Sequence, residues 1–475
     1  MAAFVRFDAV LAPKVRKRGF ASTAFEYAKE PIIGRSGRSL MVSGLNPKRI
    51  RSVQEEIVHE RTVKVPAWYV PVARRPYVLV LASFMLLLVA RPAFTVDQSG
   101  RYDGALGGSA YLINVPSDWN GGLVIFAHGY EGEGSGKGTV RTEPLDDYLT
   151  KHGYAWAASG YRAWGYRPDW FLLDLMTLHA HFISRFGKPR WTVIHGQSMG
   201  GHISIASLEL HHEMFQGALI ECGVIDGVGL ADWLYAYTAA AQYFSELPLL
   251  GTPRPEFDKL VYTKWLAAMG EPGFYTDRGQ RFDSVVKYLA GGDVPLRREG
   301  LALHYVQDLH PRDPGPTHSR ELARHADTRH INYDIDPGLG VDAATLNREI
   351  PRVLPEPGAR SYETNPVFAE LTGKIRVPVM AIHETGDFRA PFRLQQDYRR
   401  RADKAGTSHL LVQRAVRWPG HCSMDNAVRE PAFDDLVGWI EKGTVPAGDD
   451  VLGDVRHLGV RWTPLRHPKD PAQQQ

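Results

Sequence analysis

Short apolar runs and longer amphipathic stretches alternate along the chain from about residue 96 to residue 445. The short runs are rich in β-branched and aromatic residues and predict strands, whereas the amphipathic stretches predict helices. The predicted strands are 110–115, 123–127, 155–159, 192–195, 218–222, 377–383 and 410–415. The predicted helices between them are 143–151, 169–186 and 199–211, and a further helix, 432–441, is predicted after the last strand. This alternation indicates an α/β protein with a mostly parallel sheet flanked by helices.

One long interval interrupts the alternation, because about 150 residues separate the strands at 218–222 and 377–383. A structureless loop of that length is not expected inside a compact domain. Its first part predicts helices at 231–247 and 257–270, and its later part is rich in turn residues. We therefore expect a largely helical cap insertion over 229–372.

The other boundaries follow from the same pattern. The core is expected in two parts, 96–228 and 373–445, and residues 446–475 are polar and predict a tail on the surface. Residues 1–73 lack a periodic apolar pattern and predict a disordered or non-native extension.

Residues 74–95 form a signal-like hydrophobic segment, in which Arg74 and Arg75 precede an unbroken apolar run over 77–90. That run has the length of a secretory core and is short for a spanning helix. A signal some seventy residues into the chain would place the true start downstream of Met1. An uncleaved membrane anchor and a buried element are the alternatives, so export is expected if the segment is a signal and a membrane-anchored or cytoplasmic protein otherwise.

Charge and composition restrict the class of protein. The chain is 44% hydrophobic and 23% charged, with a net charge of +3. Residues 1–75 carry 15 Lys+Arg against 6 Asp+Glu, so the remaining chain is acidic, with a net charge of −6. No basic face is left to indicate nucleic-acid binding, and we expect neither a nucleic-acid partner nor stable membrane insertion.

Candidate chemistry begins at WTVIHGQSMGGH, residues 191–202, where Ser198 stands between two glycines and between a predicted strand and a predicted helix. A serine at such a sharp turn exposes its hydroxyl, which is the geometry of a nucleophile elbow. A serine needs a base and an orienting acid, which this topology supplies later in the chain in the order acid, then histidine. Asp387 and His421 follow the next two predicted strands, with Asp226 as the alternative acid.

Acyl transfer also needs backbone donors for the developing oxyanion. The strand LVIFA ends at His128-Gly129, and we assign the oxyanion hole to the N–H groups of Tyr130 and Met199.

The elbow HGQSMGG, the HGY loop, the ETGDFRAP turn and the WPGHC turn together resemble the α/β-hydrolase superfamily. The resemblance implies a serine hydrolase with Ser198 as nucleophile, His421 as general base and Asp387 as its partner. His421-Cys422 is also similar to the tannase and feruloyl-esterase family, in which a partner cysteine precedes the nucleophile; here that position is Gln197.

The chain has two cysteines, Cys222 at the end of a predicted strand and Cys422 beside the candidate histidine. In an exported protein a disulfide between them would hold the histidine loop against the sheet, and the alternative is two buried thiols.

No site for a metal or a cofactor is expected. His325, Asp327 and His330 are expected to be solvated polar residues, and no glycine-rich nucleotide loop follows a strand. Trp233 and Tyr237 in the insertion, with Tyr161 on the loop at 159–170, are the candidate substrate contacts. The sequence thus predicts a carboxylic-ester hydrolase acting on a small-molecule ester, with a serine peptidase or a non-catalytic binding protein as alternatives; it indicates no oligomeric state.

Overall fold

The computed structural model describes residues 99–133, 138–315 and 320–464. The basic extension and the apolar run at 77–90 lie outside these residues. In the described part of the chain, no helix combines the length and apolar character that crossing a bilayer requires.

Eight strands form one sheet in the order β1-β2-β4-β3-β5-β6-β7-β8. Both pairings of β2, with β1 and with β4, are antiparallel, and all other neighbours are parallel. The strands are β1 Gly100–Leu106, β2 Ser109–Val115, β3 Gly122–Ala127, β4 Ala155–Ser159, β5 Trp191–Gln197, β6 Gly217–Glu221, β7 Val379–Glu384 and β8 Leu411–Val416. The predicted α/β architecture is therefore confirmed.

Strand β1 was not predicted, because its residues are mostly exposed and carry no clear apolar alternation. It forms a hairpin with β2 through Gly107 and Gly108, whose φ angles are 56° and 89°. Two residues with positive φ form the turn that suits the twist of a hairpin, so this Gly-Gly pair was the available signal.

Helices cover both faces of the sheet. They are α1 Asp146–Lys151, α2 Pro168–Phe186, α3 Met199–Leu210, α4 Gly229–Ser245, α5 Glu256–Leu260, α6 Leu266–Met269, α7 Asp277–Leu289, α8 Arg297–His304, α9 Arg320–His325, α10 Ala343–Glu349, α11 Arg393–Ala405 and α12 Asn426–Lys442. Side chains of α2, α3 and α11 pack on one face, and those of α1 and α12 pack on the other. Along β3, Leu123 and Ile125 belong to the first core while Val124 and Phe126 belong to the second, as strand geometry requires.

The chain between β6 and β7 contains seven of these helices, α4 to α10, and a two-stranded hairpin of Gly270–Glu271 and Phe274–Tyr275. A π-helical turn, Val261–Trp265, joins α5 to α6. Buried side chains of α4 and α7 belong to the same core as those of α2 and α3. The insertion is thus packed onto the sheet domain on the face that α2 and α3 cover.

The C-terminal segment differs from a tail that only runs over the surface. Val451 and Leu458 are buried, and Asp449 N donates to Gln413 O at 2.7 Å. Asp449 also accepts a hydrogen bond from Ala415 N at 2.7 Å. Because β8 is an edge strand, this segment covers backbone groups that an open edge would leave unpaired.

Candidate active site

The candidate nucleophile lies at the turn between β5 and α3. Ser198 has φ 53° and ψ −119°, in the left-handed half of the map that side chains rarely adopt. A non-glycine residue held there is strained, and strain of this kind concentrates at functional positions. The predicted strand–turn–helix arrangement around Ser198 is present.

The glycines around Ser198 are required by close backbone contacts. A Cβ on Gly200 would lie 1.8 Å from Ala127 O, and one on Gly201 would lie 2.6 Å from Gly223 Cα. Both distances are far shorter than real Cβ contacts, so the turn fits between β3 and the residues after β6 only without side chains. The glycines therefore determine how closely Ser198 approaches the neighbouring strand ends.

The three candidate catalytic side chains form one hydrogen-bond chain. His421 Nε2 lies 2.8 Å from Ser198 Oγ, and His421 Nδ1 lies 2.6 Å from Asp387 Oδ2. With Nδ1–H donating to the carboxylate, Nε2 is left to accept the serine proton. The structure thus brings together the three residues that the sequence pattern selected from separate loops.

Asp387 is fully buried, and its other oxygen accepts a hydrogen bond from Ala390 N at 3.0 Å. Asp226, the alternative acid, is also buried but forms an ion pair with Arg401. The structure places Asp387, and not Asp226, against the imidazole.

Two opposing effects set the protonation of His421. Burial lowers the pKa of His421, but the charge and hydrogen bond of Asp387 outweigh it, so the pKa is raised. A raised pKa makes the imidazole a better proton acceptor during attack by the serine.

The HGY loop lies directly against Ser198. A Cβ on Gly129 would be 3.0 Å from Ser198 Cβ and 3.6 Å from Ser198 Oγ. The next residue is Tyr130, and Met199 is the first residue of α3. The two residues assigned to the oxyanion hole are thus the one that follows Gly129 on this loop and the one that follows Ser198, and their role stays a prediction.

A disulfide joins Cys222, directly after β6, to Cys422, directly after His421. The predicted pair of cysteines is thus bonded in the structure. Of the described His, Cys, Asp and Glu groups, one set, Cys222, His421 and Cys422, brings ligand atoms close enough for a metal ion. Its sulfurs are bonded to each other, so the set offers no thiolate pair to a metal.

Comparisons with known proteins identify sequences and structures that are similar to this chain. The model of the prolyl oligopeptidase family matches residues 149–270, which include the elbow. An o-phthalyl amidase from Xanthobacter agilis is 22% identical over 407 residues, covering 72% of this chain and 87% of that protein.

Among solved structures, feruloyl esterase B from Aspergillus oryzae is similar with a TM-score of 0.44 and 13% identity, covering 73% of this chain and 82% of the esterase. An acylaminoacyl peptidase from Pyrococcus horikoshii has a TM-score of 0.34 and 11% identity, covering 69% of this chain and 38% of the peptidase.

The sheet order, the elbow and the matched family model agree with one another. The fold is that of the α/β-hydrolase superfamily. These findings support a serine hydrolase.

Two cavities of the hydrolase share Ser198 and His421 in their walls. The larger has a volume of about 630 Å³ and is lined mainly by residues of the insertion. The smaller, of about 320 Å³, lies between the HGY loop and the histidine loop. Apolar residues of the larger wall include Leu230, Leu234, Phe257, Val261, Leu309 and Leu322. The two spaces can take the two parts of a substrate on either side of a scissile bond.

The prediction that three aromatic residues contact the substrate is corrected by their positions in the structure. Trp233 Nε1 donates to Phe388 O at 3.2 Å, Tyr237 Oη donates to Tyr305 O at 2.7 Å, and both side chains are buried. Tyr161 is buried against the ring of His128 and donates to His128 O at 3.1 Å. These residues form core and loop supports, and none is among the described residues that line either cavity.

The structure contains a buried ionic network beneath the elbow that the sequence did not predict. Glu221, the last residue of β6, accepts hydrogen bonds from Arg429 at 2.7 and 2.8 Å and from Gln197 at 2.9 Å. His195 on β5 lies 2.7 Å from Glu143 and 3.5 Å from Glu221. The partners are up to 208 residues apart in the chain, so no local pattern could reveal them.

The charges of this network reinforce one another. Burial opposes the charge of His195, but Glu143 and Glu221 raise its pKa to about 9. Burial likewise disfavours the Glu221 carboxylate, and its contacts with His195 and Arg429 lower its pKa to about 2. His195 and Glu221 therefore stay ionised over the neutral range and link the strands on which the elbow is built.

Glu384, at the end of β7, provides a second support for the histidine loop. Its Oε1 accepts hydrogen bonds from Ser423 N at 2.7 Å and from Ser423 Oγ at 3.1 Å. Ser423 is two residues after His421, so this contact and the disulfide hold the loop from two sides.

Proposed function

We propose that this hydrolase cleaves carboxylic esters of small molecules through an acyl-enzyme on Ser198. The observation that carries the proposal is the unbroken hydrogen-bond chain from Ser198 through His421 to Asp387, at 2.8 and 2.6 Å, at the wall of a cavity of about 630 Å³. An intact chain of this kind disfavours the alternative of a non-catalytic binding protein.

In the proposed reaction Ser198 Oγ attacks the ester carbonyl carbon while His421 Nε2 takes the hydroxyl proton. The carbonyl oxygen becomes an oxyanion that accepts hydrogen bonds from the N–H groups of Tyr130 and Met199. When the carbon–oxygen bond to the alcohol breaks, His421 returns the proton to the leaving alcohol. Water then repeats the sequence on the acyl-enzyme, releasing the acid and restoring Ser198.

Amide hydrolysis is the second candidate. It is favoured by the match to the prolyl oligopeptidase family and by the relative named o-phthalyl amidase. The same three side chains serve both reactions, because His421 can protonate an amine as well as an alcohol.

Export into an oxidising compartment is a further proposal. It is supported by the Cys222–Cys422 disulfide, since structural disulfides persist outside the reducing cytosol.

The test compares an ester and an amide that share one acyl group, with full-length protein and its Ser198→Ala variant. Ser184→Ala is the matched control, because Ser184 is an exposed serine on α2. We expect Ser198→Ala to abolish turnover and Ser184→Ala to retain it, with the ester cleaved faster than the amide. Equal turnover by Ser198→Ala would overturn the proposed mechanism, and faster cleavage of the amide would replace the ester assignment.

A further inference from the structure

The wall of the larger cavity contains two oppositely charged side chains, Arg389 and Asp308, that do not form a hydrogen bond with each other. Arg389 Nη1 lies 3.9 Å from Asp308 Oδ1, beyond hydrogen-bond distance. Asp308 is 1% exposed, and both of its carboxyl oxygens are buried without a hydrogen-bond partner. Arg389 follows Asp387 by two residues, so the pair lies beside the catalytic groups.

The other acidic residues in the described wall have ionic partners. Asp258 pairs with Arg254 at 3.1 Å, and Glu131 pairs with Arg141. Buried polar groups in folded proteins are nearly always hydrogen-bonded, and exceptions need an explanation. A bound group that completes the contacts of Asp308 and Arg389 would supply one.

The hydrogen-bonding capacity of the pair indicates the chemistry of that group. Arg389 offers only donors, in a planar fork that matches a carboxylate. Burial raises the pKa of Asp308 to about 8 against the opposing charge of Arg389, so at neutral pH Asp308 also presents an O–H donor. The charges that act on this carboxyl are those of Arg389, Asp387 and His421 on the core loops. His304 and His310 lie on the chain segment of Asp308 itself and contact its backbone.

We propose that the larger cavity binds a substrate that carries a free carboxylate, which accepts hydrogen bonds from Arg389 and from Asp308. The inference rests on the proposed serine-hydrolase function and adds its substrate class: monoesters or monoamides in which one of the two parts bears a second, unreacted carboxyl group. A substrate ammonium is disfavoured, because it would be held beside the guanidinium of Arg389.

Two substrate series test this with full-length protein, one for each side of the scissile bond. In the acyl series the benzyl monoester of succinate is compared with the benzyl esters of succinamate and γ-aminobutyrate. In the alcohol series butyrate esters of para-hydroxymethyl benzoate, its carboxamide and its aminomethyl analogue are compared. The members of each series are similar in size and differ in charge.

We expect kcat/KM for the carboxylate member of one series to exceed that of the neutral member by about 10- to 100-fold, the effect of one or two charge-assisted hydrogen bonds. Equal values in both series, or preference for the ammonium member, would overturn the proposal. Hydrolysis of neutral esters measures the proposed function separately, so failure of that function would appear as loss of all activity.

Variants locate the selectivity. Arg389→Gln should reduce the ratio of kcat/KM between the carboxylate member and the neutral member to about one, and Arg389→Lys should retain part of that ratio. In the wild type the preference should fall as pH rises through about 8, because an ionised Asp308 repels the substrate. Asp308→Asn keeps a donor without a charge, so its preference should not fall with pH; a fall identical to that of the wild type would exclude Asp308 from the contact.

Discussion

Cys422 is disulfide-bonded to Cys222, 200 residues earlier in the chain, and thereby ties the residue after His421 to the end of β6. The bond holds the proposed general base against the strand that neighbours β5, which carries the proposed nucleophile at its end. The geometry of the candidate active site therefore depends on a covalent link as well as on packing.

Removal of this link is expected to reduce both stability and turnover. Cys222→Ser with Cys422→Ser should lower the free energy of unfolding by roughly 2–5 kcal/mol, because the disulfide restricts a long loop in the unfolded chain. It should also lower kcat more than it raises KM, since His421 becomes less fixed. Denaturant unfolding and ester kinetics measure the two effects; unchanged kcat in a folded double variant would exclude a positioning role for the disulfide.

The contact between His421 and Asp387 predicts the pH dependence. Because the pKa of His421 is raised, kcat/KM should rise with pH through a value above the ordinary 6.5, as the neutral imidazole forms. Asp387→Asn should lower kcat by about 10,000-fold and move the acid limb to lower pH, because the charge that most strongly opposes the effect of burial on the His421 pKa is removed. An unchanged limb in that variant would show that another group controls it.

Two glycine substitutions, one in the elbow and one in α12, should have opposite effects on the protein. Gly200→Ala should prevent folding or abolish activity, since its Cβ would meet Ala127 O at 1.8 Å. Gly438→Ala, inside α12 and with no atom within 4 Å of the added Cβ, should raise the free energy of unfolding by about 0.5–1 kcal/mol. Soluble expression and thermal unfolding provide the comparison, and an active Gly200→Ala protein would contradict the description of the turn.

The buried network beneath the elbow should contribute to the free energy of unfolding. Arg429→Met should lower the free energy of unfolding by about 3–5 kcal/mol, because it leaves the buried Glu221 carboxylate without its guanidinium partner. Arg456→Ala removes an exposed ion pair with Asp454 and should leave stability unchanged. Equal effects of the two substitutions would mean that the buried pair contributes nothing specific.

Substitutions at two nearby positions on α4 should distinguish a residue of the cavity wall from a residue of the core. Leu234→Ala enlarges the larger cavity and should change the acyl-length preference, with KM for short esters rising by about three- to tenfold. Tyr237→Phe loses one buried hydrogen bond and should cost about 1 kcal/mol of stability with KM unchanged. A changed acyl preference in Tyr237→Phe would restore that residue to the binding site.

The core strands could be predicted because each is a buried apolar run, and residues at their ends identified Ser198, Asp387 and His421. Helix α11 was missed since it is dominated by charged residues and only one side is buried. The support by Glu221 and Arg429 and the pair of Asp308 and Arg389 depend on contacts between distant parts of the chain. The orientation of aromatic residues on α4 was likewise inaccessible, because helical spacing does not distinguish a cavity wall from a core.

The most direct test of the central claim is mass spectrometry of the full-length protein after reaction with a fluorophosphonate. We expect one covalent adduct, mapped to the peptide that contains Ser198, and no adduct in Ser198→Ala. An adduct on another residue, or ester hydrolysis that persists in an unlabelled Ser198→Ala protein, would contradict it.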